Sequence, residues 1–151
     1  MNGGMQALAS ATVAELSPRP HGKVNPDDAM WKVVAEMTAK GRGAVLVEEA
    51  GALVGIFTER DLLNRVDYAD PLWSHLIVGD LMTPHPMVIR RDDSLSEALR
   101  RLTAGHRRHL PVVDDRGHVL GLISIRDIMS YIAERFPEDM MNLPPHPDHE
   151  S

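Results

Sequence analysis

With 151 residues, 43% of them hydrophobic and 25% charged, the chain can bury one ordinary core and does not have the composition of a disordered polymer. It has no cysteine, which removes disulfide frameworks, thiolate zinc sites and cysteine nucleophiles, and its formal net charge of -6 argues against nucleic acid as main partner, because phosphate binding shows as a basic surface. The longest stretch free of polar residues lies around Gly51 to Phe57, far short of the roughly 20 apolar residues a membrane-spanning helix needs. Met1 to Ala11 lacks the cationic start and apolar region of a secretory signal, so a cytoplasmic protein with no membrane partner is expected.

In chain order, 1–11 is small and glycine-containing and reads as a loose N-terminus. An extended segment near His21 to Val24 precedes a helix whose Met30, Val33, Val34 and Met37 recur at the spacing of one helical face. Ala44 to Val47 and Leu53 to Phe57 are short β-branched runs separated by a turn at Glu48 to Gly51. Thr58 then opens a helix carrying Leu62, Leu63 and Val66. Residues 68–77 form a linker, in which Asp70 and Pro71 end any preceding helix.

The same order returns. Pro86 to Ile89 is extended, and Ser94-Leu95-Ser96-Glu97 has the form of a capping box opening a helix with Leu95, Ala98, Leu99 and Leu102 on one face. Leu110 to Val113 and Val119 to Ile123 flank a turn at Asp114 to Gly117, and Ser124 caps a helix striped by Ile125, Ile128, Met129 and Ile132. The last segment, 136–151, is proline-rich and reads as a flexible tail.

Laid on itself at a shift of 65, the chain pairs Val13 with Val78, Leu16 with Leu81, Asp27-Asp28 with Asp92-Asp93 and Thr38-Ala39 with Thr103-Ala104. After one extra residue near Gly105 to Arg108 the shift becomes 66 and pairs Val47 with Val113, Gly51 with Gly117, Gly55 with Gly121 and Arg60-Asp61 with Arg126-Asp127. Two copies of a strand-helix-strand-strand-helix unit follow, at 12–67 and 78–135. A period this long, present twice, points to two half-domains packed on each other rather than a solenoid.

Gly55-Ile56-Phe57-Thr58-Glu59-Arg60-Asp61 and Gly121-Leu122-Ile123-Ser124-Ile125-Arg126-Asp127 resemble the strand-to-helix signature of CBS domains. Asp80-Leu81-Met82-Thr83-Pro84 and Arg108-His109-Leu110-Pro111-Val112-Val113-Asp114 add to the likeness, which covers about Thr12 to Ile132. The resemblance implies an α/β fold of two pseudo-twofold-related β-α-β-β-α units packed sheet to sheet. It also implies two clefts that commonly take adenosine-containing ligands, and homodimerisation into a flat disc of four units.

Thr58 with Asp61, and Ser124 with Asp127, place a hydroxyl and a carboxylate three residues apart at a helix start. Capping accounts for that spacing without a ligand, and recognition of two ribose hydroxyls by the carboxylate accounts for it with one; a capped helix start can serve both ends. His106-Arg107-Arg108-His109 is the densest cationic run, and arginine suits phosphate. By the resemblance, Arg108 and His109 reach ligand phosphate, with Arg42 as the matching first-copy residue. Adenine would lie against His21, Lys23 and Val24 in one cleft and Met87, Val88 and Ile89 in the other. The tighter cleft is expected to combine Ser124 and Asp127 with Arg108 and His109.

His75, His85 and His118 are scattered, and His146 and His149 lie in the tail, so no fixed metal site is expected. No Gly-x-Ser-x-Gly elbow and no P-loop occurs, and the expectation is a protein without catalytic residues or a resident cofactor. The function expected is a regulatory module that binds adenine nucleotides (AMP, ADP, ATP or a dinucleotide) as effectors in a homodimer, acting on an unidentified regulated protein. A ligand-independent dimerisation or scaffold module is the alternative.

Overall fold

Each half is built round a β-hairpin whose strands the β-branched residues favour. In the first half, β2 (Ala44–Glu49) pairs antiparallel with β3 (Ala52–Thr58) across a turn in which Ala50 and Gly51 both have left-handed backbone, at φ 54° and 82°. Parallel β1 (Gly22–Val24) adds to the far side of β2, and helix α2 (Met30–Lys40) crosses between β1 and β2. A short helix α3 (Glu59–Arg65) follows β3. The computed structural model describes residues 3–40, 43–105 and 107–135 of the chain; the tail expected at 136–151, with His146 and His149, lies outside the described residues.

The second half repeats the plan. Helix α4 (Val78–Leu81) and β4 (Thr83–Pro84) open it, and β5 (Ile89–Arg90), α5 (Leu95–Ala104), β6 (His109–Val113), β7 (Val119–Ser124) and α6 (Ile125–Arg135) complete it. β5 pairs parallel with β6, and β6 antiparallel with β7. The central strands are buried on both faces. Val45, Val47, Leu110 and Val112 lie in the two helix-covered cores, while Ala44, Leu46, Pro111 and Val113 are buried on the opposite face, where the sheets of the two halves meet.

The opening segment of each copy belongs to the other copy's half. β4 pairs antiparallel with β3, so the first sheet runs β1-β2-β3-β4 with its last strand drawn from the second copy. Reciprocally, Arg19 bridges Leu122 at the edge of β7. Val13 sits in the core built on α5, and Val78 in the core built on α2; both are fully buried. The hydrogen bonds match pair for pair: Val13 N to Asp93 O at 2.9 Å and Val78 N to Asp28 O at 3.0 Å, Leu95 N to Ala11 O at 3.0 Å and Met30 N to Leu76 O at 2.8 Å.

Three local expectations change. Within the segment expected to be loose at 1–11, Gly3–Ser10 forms helix α1, with Leu8 packed on the second core and Ala11 buried. In the linker, Trp73–His75 makes a 3-10 turn, and Trp73 and Leu76 pack on the first core, with Tyr68 edge-on to Trp73. The capping box at Ser94 is half formed. Ser94 Oγ accepts the Glu97 amide at 3.1 Å, but the Glu97 carboxylate is held by Arg100 and Arg101 at 2.6 to 2.9 Å instead of reaching back. Two guanidinium groups outbid one backbone amide, because charge-assisted hydrogen bonds are the stronger.

Candidate ligand-binding cleft

The exchange of opening segments leaves a cleft of about 560 Å³ where the halves meet, within the usual range for small-molecule sites. One wall is the start of α3. Thr58 is its N-cap: its hydroxyl accepts the Asp61 amide at 3.2 Å, and Asp61 Oδ2 accepts the Thr58 amide at 3.0 Å. The other Asp61 oxygen lies 3.4 Å from Arg65 Nε, one turn further along the same helix, and Arg65 also donates to the carbonyls of Leu81 and Met82. Capping therefore uses one carboxylate oxygen and leaves the other to Arg65, in a residue that lines the cleft.

The opposite wall comes from the second copy. Arg107, Arg108 and His109 line it just before and at the start of β6, and the segment carrying Thr83, His85, Pro86 and Met87 closes the side. Arg107 and Arg108 are exposed, with no side-chain ion pair among the described residues. Ile56 and Pro111 supply an apolar floor. The cleft thus offers the carboxylates of Glu59 and Asp61, arginines on both walls and an apolar surface, in a chain whose net charge is -6.

This geometry corrects the expected grouping. Arg108 and His109 share the cleft with Thr58 and Asp61; Ser124 and Asp127 do not line it, although Ser124 sits opposite His109 in the β6–β7 register. The reason is topological: each copy's opening segment crosses to the other sheet edge, so the cleft draws on both copies, with Asp61, Arg60 and Arg65 from the first and Arg107, Arg108 and His109 from the second. At the second helix start, Asp127 Oδ2 accepts the Ser124 amide at 2.7 Å and the Ser124 hydroxyl at 3.2 Å. Its Oδ1 is 2.8 Å from Arg19 Nη2.

Of the residues expected to meet adenine, Met87 lines the cleft. Val24 and Ile89 are core side chains, which corrects their assignment: alternation in β1 and β5 turns them inward onto the helices. His21 is held by Glu48 at 3.0 Å, Lys23 lines a separate depression with Asn25, Asp28 and Lys32, and Val88 is half-buried with its carbonyl accepting from Arg101. Arg42 and His106 lie outside the described residues. Sequence reading missed Arg107, Thr83, His85 and Pro86 as cleft residues, and Arg19 as a partner of Asp127. The Asp80-to-Pro84 phrase carries a signal for Thr83, whereas β-branched residues put the stronger strand signal at 86–89. Among the described residues no cluster of histidine and carboxylate side chains could hold a metal ion, and no helix is long and apolar enough to cross a membrane.

The fold and cleft define a class: a tandem α/β repeat with a ligand-sized cleft shared between its repeats. The chain belongs to the CBS domain family, whose profile matches residues 13–68 and 78–134. The CBS-domain protein CBSX3 of Arabidopsis thaliana, a mitochondrial protein, is 31% identical over 122 residues, and an uncharacterised protein of Methanopyrus kandleri is 28% identical over 137. The alignments take in 78% and 88% of this chain, and 59% and 70% of those relatives respectively. Among solved structures, a CBS-domain protein from Burkholderia ambifaria superposes with a TM-score of 0.74 at 28% identity, covering 83% of this chain and 96% of that one. CBSX2 of Arabidopsis thaliana, solved in complex with AMP, superposes with a TM-score of 0.69 at 28% identity, covering 82% and 96%.

Proposed function

We propose that the chain is a regulatory module that binds an adenine nucleotide in the cleft between Asp61 and Arg108, and that it works as a cytoplasmic homodimer without a catalytic step of its own. The observation that carries this reading is the juxtaposition, across the two halves, of the half-buried Asp61 carboxylate lining the cleft and a wall bearing two exposed arginines that have no side-chain ion pair among the described residues. Ribose hydroxyls donate, so a carboxylate suits them; phosphate accepts, so the guanidinium forks suit it. Ile56, Met87 and Pro111 give a flat base an apolar seat. The CBSX2 relative bound to AMP supports the same ligand class. Leu63 on α3 and Met129 on α6 are large, apolar and exposed, which fits a second copy packing on these helices. A nucleotide that prefers one arrangement of the halves then shifts the module's shape and what it presents to a regulated protein.

Titration calorimetry with AMP, ADP and ATP tests the reading. Asp61→Asn keeps an oxygen for the Thr58 amide and removes the charge, and Arg108→Ala removes a phosphate donor. Each is expected to weaken binding by about tenfold to a hundredfold, since hydrogen bonds to charged groups contribute about 1.5 to 3 kcal/mol. Nucleotide at 100 times its Kd should raise stability by about 2.7 kcal/mol, a Tm shift on the order of 5 to 10 °C. Failure of all three nucleotides to bind would leave the ligand-independent scaffold as the better reading.

A further inference from the structure

The two helix-start aspartates are equivalent by sequence but not by environment. Asp61 lines the open cleft: its Oδ2 holds the Thr58 amide, and its Oδ1 lies 3.4 Å from Arg65 Nε of the same helix, with the side chain 14% exposed. At Asp127 the second oxygen is held more closely, by a cation from a distant segment of the chain. Oδ2 holds the Ser124 amide and hydroxyl, and Oδ1 holds Arg19 Nη2 at 2.8 Å, leaving the Asp127 side chain 9% exposed.

Arg19 is held there by its main chain. It stands between Pro18 and Pro20, which have no amide hydrogen, so within Pro18-Arg19-Pro20 only Arg19 can donate to a neighbouring strand. It does so to Leu122 O at 3.0 Å and accepts from Leu122 N at 3.1 Å. Gly121 permits this approach, because a Cβ there would lie 2.6 Å from Arg19 O. With the backbone already fixed, only the side chain's own rotamer freedom remains to be lost when it closes onto Asp127. The counterpart of Arg19 in the repeat is Pro84, which carries no charge to place on Asp61, and the counterpart of His109 is Gly43, which has no side chain to offer a ligand.

We propose that Arg19 is a built-in occupant of the second helix start, competing with ligand hydroxyls for Asp127, so that the chain takes nucleotide at the Asp61 cleft and holds the Asp127 site closed. The proposal rests on the nucleotide reading above. It makes the two pseudo-equivalent sites unequal through one residue that lies outside both strand-to-helix signatures. Arg19 therefore sets the number of nucleotides bound per chain.

Native mass spectrometry and calorimetry on the full chain, with AMP and ATP as probes, test it. The unmodified protein is expected to take one nucleotide per chain. Arg19→Ala should take two, the second bound about tenfold or more tighter than any second binding event in the unmodified protein. Arg19→Ala combined with Asp127→Asn should return to one. Arg19 is a mostly exposed side chain whose backbone bonds survive the change, and circular dichroism confirms that each variant is folded. Two nucleotides of similar affinity on the unmodified chain, or a single one on Arg19→Ala, would overturn the proposal while leaving the nucleotide reading intact. No binding to any of these proteins would overturn the nucleotide reading and this proposal with it.

Discussion

Single residues show how one spacing serves two ends. The hydroxyl-to-carboxylate interval of three behaves differently at the two helix starts: the Thr58 hydroxyl caps α3 by accepting the Asp61 amide, while the Ser124 hydroxyl, expected to cap α6, donates to Asp127 instead and accepts no helix amide among the described residues. Both were legible as helix starts. What Asp127's second oxygen meets was not, because Arg19 lies more than a hundred residues away in the chain and no local rule pairs them. Glu97 is the residue with the clearest acid response. Hydrogen bonds from Arg100, then Arg101, hold its carboxyl down at about 2, below its ordinary 4.5. A lowered folded-state value stabilises the fold above about pH 4.5, and that contribution is lost as pH falls toward about 2. Because solvent screens this surface cluster, the effect is small. Glu97→Gln should lower Tm slightly at pH 7 and flatten its decline between those two pH values, as thermal melts across the range will show.

Among the elements, the helices and hairpins were readable because each carries its own period. Leu95, Ala98 and Leu102 are buried on one stripe of α5, and Val45 and Val47 face the helices from β2 as alternation requires. Edge pairing was not readable. Thr83-Pro84 and Arg19 are too short and too proline-rich to look like strands, and each pairs with a partner from the other copy. The glycines opposite them record the contact. At Gly55 an added Cβ would meet the Met82 side chain, which can shift, whereas at Gly121 it would meet the backbone of Pro18 and Arg19. Gly121→Ala should therefore cost about 1 to 3 kcal/mol through overpacking, and Gly55→Ala less. Urea melts of the two variants, compared at equal m-value, measure the difference; equal losses would mean that the 17–20 segment moves freely.

For the whole molecule, the reciprocal exchange makes the halves mutually dependent. Each core contains a fully buried valine from the other copy, worth about 1.5 to 3 kcal/mol apiece, and each long helix starts on a carbonyl from the other copy's leading segment. Cutting between Asp70 and Pro71 leaves the first half without Leu76 and Val78, and the second without Ala11 and Val13. Neither fragment alone should give a cooperative thermal transition as a monomer, while mixing them should restore one. A sharp monomeric transition in either separate fragment would show that the exchange is dispensable. By itself, the sequence determined the doubling, the unit's element order and where the helices start, because those depend on local period and on residues a few positions apart. The tertiary structure alone decided that Arg108 and His109 face Asp61, and that Arg19 is held against Asp127. Which copy supplies each wall depends on where a strand crosses to the other sheet edge, and that choice is set by long-range pairing and burial, which leave no local period to read.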